Sequence, residues 1–151
     1  MLIKLIQPQD LPDIADIAAQ AYPEQFSESD ISFESKIKGA PGMCYAAKID
    51  GVTVGYCVSF PFTMGIMHPL NQCYAPAPPP PCHYIHDLCI LPAWQRHGVG
   101  TALALAVLQI ACKPKALTSV MNTHYFWEKF GFKTVYQSDY HGSPAHYMAK
   151  Y

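Results

Sequence analysis

Residues 94–112, WQRHGVGTALALAVLQIAC, set the tightest limit on the fold. From Thr101 to Cys112 there is almost no polarity, so a helix made from this segment has no face for solvent and must be covered by other elements. Gly98 and Gly100 stand at its start, behind Arg96 and His97. A helix N-terminus exposes backbone N–H groups that lack internal partners and carries partial positive charge, so phosphate oxygens bind there readily. Glycines let a ligand reach the main chain, and Arg96 and His97 add donors. The segment therefore predicts a preorganised anion site on a helix buried against a sheet.

The chain of 151 residues suits one domain, residues 1–151, and a domain of this size buries about two thirds of its unfolded surface. Half of the residues are apolar, 14% are charged and the net charge is −1, which excludes a disordered chain or a nucleic-acid coat. Seven of the eleven acids (Asp10, Asp13, Asp16, Glu24, Glu28, Asp30 and Glu34) fall in the first 34 residues beside a single base, Lys4. Between Asp87 and Glu128 there is no acid, while Arg96, Lys113 and Lys115 lie inside that interval. Six cysteines without paired spacing, and an N-terminus without the pattern of a secretory signal, point to reduced thiols in the cytoplasm. The longest apolar run is too short to span a bilayer, so no membrane segment is expected.

Hydrophobic periodicity and turn signals predict a strand over 1–7, then a helix from Asp10, as its cap, to about Ala21, with a weaker helix over 29–38. Strands 43–48 and 52–60 follow, joined by the hairpin signal Asp50-Gly51. Residues 61–82 hold seven of the fourteen prolines and are read as a loop, either a lid over a site or a surface insertion. Beyond it come a strand over 83–90, the helix 98–112, a strand over 116–121, a short helix over 123–129, and strands 132–136 and 145–151. This is an α/β mixture of the α+β type: a mixed, mostly antiparallel sheet of about seven strands with about four helices. A dinucleotide site is excluded because position 103 is Leu and no ribose-binding acid follows; a P-loop is excluded because no Gly-Lys-Ser/Thr is present.

Leu88-Cys89-Ile90-Leu91-Pro92, followed by Gln95-Arg96-His97-Gly98-Val99-Gly100-Thr101, resembles the acetyl-CoA motif Q/R-x-x-G-x-G/A of the GCN5-related N-acetyltransferase (GNAT) superfamily. Phe126-Trp127-Glu128-Lys129-Phe130-Gly131-Phe132 is similar to the same family's aromatic-aromatic-Glu-Lys-x-Gly-Phe segment. The resemblance implies an acyl-CoA N-acyltransferase fold and transfer of acetyl from acetyl-CoA to an amine. It implies that the pyrophosphate rests on Gln95, Arg96, His97, Gly98, Val99, Gly100 and Thr101, and that the pantetheine arm pairs along Leu88, Cys89 and Ile90. The sheet of such proteins splays beside this strand. Asn122 and Trp127 complete the expected cofactor contacts, with a plain helix cap as the other reading of Asn122.

The family's strand carboxylate aligns with Tyr84, which leaves His86 and Asp87 as polar neighbours. On a regular strand Tyr84 and His86 share a face and Asp87 points to the other. His86 is favoured as base because its free pKa lies near neutrality. The usual acid is a tyrosine where this chain has Trp127, which cannot give that proton; Tyr125 or His124 could substitute. Cys82, His83, His86 and Cys89 face opposite ways on a strand, so no metal is expected. The acceptor is expected to be a small-molecule amine or a protein amino group, with no nucleic acid and no membrane as partner and a homodimer left open. Trp127 keeps a non-catalytic acyl-CoA-binding module as an alternative, and the proline-rich loop keeps a longer acyl donor as another.

Overall fold

The computed structural model describes residues 1–76, 78–79 and 81–151; Ala77 and Pro80 of the proline-rich loop lie outside them. Seven strands form one sheet: β1 (Leu2–Leu5), β2 (Tyr45–Ile49), β3 (Val52–Phe62), β4 (Cys82–Ile90), β5 (Lys115–Ser119), β6 (Lys133–Tyr140) and β7 (Ser143–Lys150), in the order β1-β2-β3-β4-β5-β7-β6. Every neighbouring pair is antiparallel except β4 with β5. Four helices flank the sheet: α1 (Leu11–Ala21), α2 (Asp30–Gly39), α3 (Val99–Leu108) and α4 (His124–Glu128). The architecture is the mixed α+β one that the sequence predicts.

Each face of the sheet has its own core. On one, Val99, Leu103, Ala104 and Val107 of α3 are buried with Val54, Cys57, Ile85, Leu117, Trp127, Phe132 and Met148. On the other, Ile14 and Ile17 of α1 pack on Tyr56, Val58, Phe60, Tyr84 and Tyr147. Burying one such aliphatic side chain contributes about 2 kcal/mol, so α3 is held by packing and its N-terminal turn is held with it.

Helix α3 stops at Leu108, short of the predicted Cys112. The buried ammonium of Lys115 donates to the carbonyls of Ile110 (2.7 Å) and Cys112 (3.3 Å) and to His83 Nδ1 (2.8 Å), so the chain past α3 turns in toward β5. Asp10 does occupy the cap position of α1, but its carboxylate accepts from the Gln7 amide (2.8 Å) and Lys48 Nζ (2.7 Å) and makes no bond to α1. The closing hairpin is longer than predicted, because His141 (φ 50°) and Gly142 (φ 84°) form the same tight turn as Asp50 (φ 51°) and Gly51 (φ 77°). His-Gly carries a weaker turn signal than Asp-Gly, which hid the hairpin tip.

The loop after β3 is stitched down over its first half. Tyr147 Oη accepts from the Gly65 amide (2.7 Å) and Tyr140 Oη donates to the His68 carbonyl. The Leu70 amide donates to His141 Nε2 (2.9 Å), the Ser29 amide donates to Asn71 Oδ1 (2.6 Å), and the Tyr74 amide donates to Ser35 Oγ (3.0 Å). Residues 63–74 thus form a strap that ties the β6–β7 hairpin to the start of α2.

Candidate active site

The parallel ladder between β4 and β5 has only three pairs, His83 with Lys115, Tyr84 with Ala116 and Ile85 with Leu117. Both strands continue, β4 to Ile90 and β5 to Ser119, so they diverge and leave the main chain of β4 past Ile85 without a partner on that side. A cleft of about 980 Å³ runs through the opening. Its lining reaches from the α3 turn through β4 to Tyr22, Phe26, Glu28 and Asp30 around the connection between α1 and α2.

At the α3 end the site is made of backbone. Gly98 is left-handed (φ 81°), and a Cβ built on it meets no atom within 4 Å, so the space in front of it is open to a ligand. Gly100 is different: its Cβ would touch Phe126 at 3.7 Å and Leu88 at 3.8 Å, which is ordinary contact. The first α3 amide taken up internally is that of Ala102, on Gly98 O (3.1 Å). The amides before it are available to an anion. Arg96 also has positive φ (64°), a strained conformation for a side-chain-bearing residue. Gln95 Nε2 donates to Ile90 O (3.3 Å), and the His97 ring braces the turn through Gln95 O (2.8 Å) and against Trp94.

Gln95, Arg96, Gly98, Gly100, Thr101, Leu88, Cys89, Ile90 and Trp127 all line the cleft. Val99 is turned into the core, His97 lies on the exposed outer side of the turn, and Asn122 is exposed with positive φ (59°). Trp127 packs on Phe126, Phe130 and Phe132 and forms part of the floor. Tyr125 is 67% exposed and outside the lining.

At the other end the site is made of side chains. A β-bulge in β4 breaks the regular alternation: Ser59 pairs with Ile85 and Val58 with Asp87, leaving His86 without a partner on β3. The expectation that Asp87 faces away from His86 is therefore overturned. The extra residue resets the alternation, so Tyr84, His86 and Asp87 all lie on the α1–α2 face.

His86 Nε2 pairs with Glu28 Oε1 (3.0 Å), and Glu28 also takes Ser32 Oγ (2.8 Å), the Asn71 amide (3.1 Å) and the Lys36 ammonium. Burial favours the neutral Glu28, but His86 and then Lys36 outweigh it and hold the carboxyl down at about 2. Among the described residues the buried His86 Nδ1 has no hydrogen-bond partner. His68 stands against His86, and burial followed by the neighbouring His86 and Lys36 charges lowers it to about 4. Tyr84 is sealed beneath the surface, with its hydroxyl on Thr118 Oγ1 (2.6 Å) and accepting from the His68 amide (3.1 Å); Thr118 lines the cleft and Tyr84 does not.

Asp87 accepts from Tyr22 Oη on one oxygen and from Tyr56 Oη on the other, both at 2.6 Å. Burial raises its pKa, and the two hydroxyl donors only partly oppose the shift. Charge divides along the cleft: Arg96 and Lys129 line it toward α3 and α4, and Glu24, Glu28, Asp30 and Asp87 line it toward α1 and α2. Tyr22, Glu28 and Thr118 were not singled out from the sequence as site residues; the clustering of acids in the first 34 residues was the only signal that bore on any of these three.

Among the described residues no group of three or more His, Cys, Asp or Glu side chains is arranged to hold a metal ion. The model of the acetyltransferase (GNAT) family matches residues 11–132. The chain belongs to that family. As a GNAT protein it is an acyltransferase, and solved structures share its fold. Ard1 from Thermoplasma volcanium superposes with a TM-score of 0.77 at 18% identity, covering 99% of this chain and 95% of that one. Arabidopsis thaliana Naa50, in complex with the bisubstrate analogue CoA-Ac-MVNAL, gives 0.74 at 15% identity over 99% and 97%. The loading GNATL domain of CurA from Lyngbya majuscula gives 0.75 at 13% over 98% and 96%. Among curated proteins no sequence matches this GNAT chain.

Proposed function

We propose that the protein transfers the acetyl group of acetyl-CoA to a primary amine of a small molecule or a protein, by direct attack of the amine nitrogen on the thioester. The observation that carries this reading is the opened β4–β5 ladder running directly from the glycine turn of α3 to an acid-lined end. The open space at Gly98 and the free amides behind it suit a diphosphate, and the unpaired edge of β4 suits the amides of a pantetheine arm. A structural neighbour, Naa50, is in complex with a CoA-containing bisubstrate analogue, which supports a CoA-based donor here.

The chain's own residues then divide the work. Arg96 and the first amides of α3 hold the donor's phosphates, Leu88 to Ile90 align its arm, and the acidic end receives a cationic acceptor. On β4, His86 and Asp87 are the polar groups on the acceptor face. Tyr84, sealed behind the wall, orients the Thr118 hydroxyl that lines the cleft. The placement of Tyr125 outside the cleft gives it no route to the departing thiolate, which takes its proton from solvent. Six free cysteines support a reducing, cytoplasmic setting.

Calorimetry with acetyl-CoA, followed by thiol release on an amine panel, tests the assignment: saturable heat and amine-dependent thiol are expected. Absence of heat, or undiminished binding by Gly98→Glu, would sink it. A second reading, acyl-CoA binding without turnover, draws on Trp127 in place of an acid; it requires binding heat with no thiol release on any amine.

A further inference from the structure

Residues 63–74 leave β3 as irregular backbone, yet four phenols hold their main chain in place. Gly65 donates its amide to Tyr147 Oη (2.7 Å), and its carbonyl accepts from Tyr136 Oη (2.9 Å). His68 is held in the same way, its amide on Tyr84 Oη (3.1 Å) and its carbonyl under Tyr140 Oη. Both backbone polar groups of each residue are satisfied by side chains standing on β4, β6 and β7. The buried His68 ring packs among Phe60, Phe62 and His86. A segment that opens readily has few buried contacts and few bonds to its scaffold; this one has many of both, so it is a fixed wall.

Just beyond, consecutive residues reach opposite sides of the cleft. The Leu70 amide donates to His141 Nε2 at the β6–β7 tip (2.9 Å). Asn71 bonds the connection between α1 and α2: its Oδ1 accepts from the Ser29 amide (2.6 Å), its amide donates to Glu28 Oε2 (3.1 Å) and its Nδ2 donates to the Ser27 carbonyl (3.4 Å). Asn71 has the left-handed φ of 63° that this turn requires, a conformation asparagine adopts more easily than most residues. Among the described residues Leu70 is the one member of the strap that lines the cleft, where it stands with Glu28 and Tyr140. Between the hairpin tip and the α1–α2 connection, the acid end is therefore bounded by one aliphatic side chain on a braced turn.

We propose that Leu70 is the stop that sets acceptor size: the space between it and the thioester takes a short alkylamine whole and leaves a polypeptide no path for the chain behind its amino group. This rests on the acetyl-transfer reading and deepens it by choosing the small molecule from the two acceptor classes. A polypeptide that offers its terminal nitrogen to the thioester must lead its main chain away with an N–H and a C=O on each residue still bonded. The strap amides that could meet it, those of Gly65, His68, Leu70 and Asn71, are already spent within the protein. An alkyl tail asks only for apolar surface, which Leu70, Phe26 and Phe33 present to the cleft.

The full-length wild type and its Leu70→Ala and Leu70→Trp variants are assayed with acetyl-CoA on ethylamine, n-butylamine, n-octylamine and a short peptide amide with a free α-amino group. The wild type should use n-butylamine with a kcat/KM about 100-fold above that for the peptide. Leu70→Ala should raise the ratio of octylamine to ethylamine kcat/KM by about tenfold, and Leu70→Trp should lower it by about as much. Ratios taken within one preparation do not depend on how much of it is folded. Hydrogen exchange reads the wall without turnover: amides over 63–74 should exchange far more slowly than in a free peptide of that sequence. Tyr136→Phe with Tyr140→Phe, which takes a donor from each of the two held carbonyls, should speed that exchange on the order of tenfold and raise the peptide's rate relative to n-butylamine. A peptide used as well as n-butylamine, ratios unmoved by both Leu70 variants, or strap amides that exchange as in a free peptide would each overturn the stop. Any of these results alongside turnover of an amine removes the stop alone; a wild type that binds no acetyl-CoA, or releases no thiol on any amine, removes the acetyl-transfer reading and the stop with it.

Discussion

The two ends of the cleft are built from different material. Toward α3 the ligand meets main chain: the left-handed Gly98, the first amides of the helix and the unpaired edge of β4. Toward α1 and α2 it meets side chains drawn from widely separated places in the sequence, Tyr22, Glu28, His86, Asp87, Thr118 and Tyr140. Backbone at a helix start presents the same donors whatever its sequence, so one glycine-rich motif is enough to specify it. A side-chain pocket depends on which segments the fold brings together, and it can differ between proteins of one fold without disturbing the donor's site. Under the proposed acetyl transfer, the first end has the shared task of holding the donor and the second the choice of acceptor.

The largest effect should fall on the backbone end. Gly98→Glu puts a side chain and a negative charge into open space at a positive φ, and acetyl-CoA affinity should fall on the order of a thousandfold, about 4 kcal/mol, by calorimetry. If affinity is kept, the ligand does not sit on that turn and the comparison breaks.

Next comes the side-chain end, where Glu28→Gln strips the counter-charge from a Lys36 ammonium that is 0% exposed. A loss of about 3 kcal/mol in unfolding free energy is expected by urea denaturation, most of it recovered in Glu28→Gln with Lys36→Met. Failure of the double variant to recover would mean that the pair's charges are not what matters there.

Acid should act on the same region. Glu28 is held at about 2 against an ordinary 4.5, so its stabilisation is complete above the unfolded value and is lost as pH falls through 4.5 toward 2. His83 reinforces the trend from a higher pH: burial, then the Lys115 charge, lowers it to about 3, and the unfolded chain takes up its proton first as pH falls below 6.5. Stability measured from neutrality downward should decline in that window, and Glu28→Gln should flatten its lower part.

The smallest effect is a contrast within one motif. Gly100→Ala meets only ordinary contacts at 3.7 and 3.8 Å, so acetyl-CoA affinity should stay within about threefold of wild type. A large loss there would mean that the ligand, rather than Phe126 and Leu88, occupies that space.

Much of this molecule is legible in one dimension. The unbroken apolar run after Gly100 required a buried helix, Asp50-Gly51 required a hairpin, and the α3 turn announced itself through glycines and a cationic neighbour. The His141-Gly142 turn and the early end of α3 were missed, because the first carries a weak turn signal and the second depends on Lys115 reaching back from β5. Asp87 was placed on the wrong face because strand periodicity assumes no insertion, and the bulge is visible only once β3 is laid against β4.

By itself the sequence determined the order of elements, the sheet's mixed character and the glycine turn at the start of α3, since each rests on local backbone preference or on periodicity within one segment. Tertiary structure alone decided that β4 and β5 part after three pairs, that residues 63–74 strap the hairpin to α2, and that Asp87 stands beside Tyr22 with no cation in ion-pair range among the described residues. Those features arise from contacts between residues far apart in the chain, and no local pattern encodes where two distant side chains will meet.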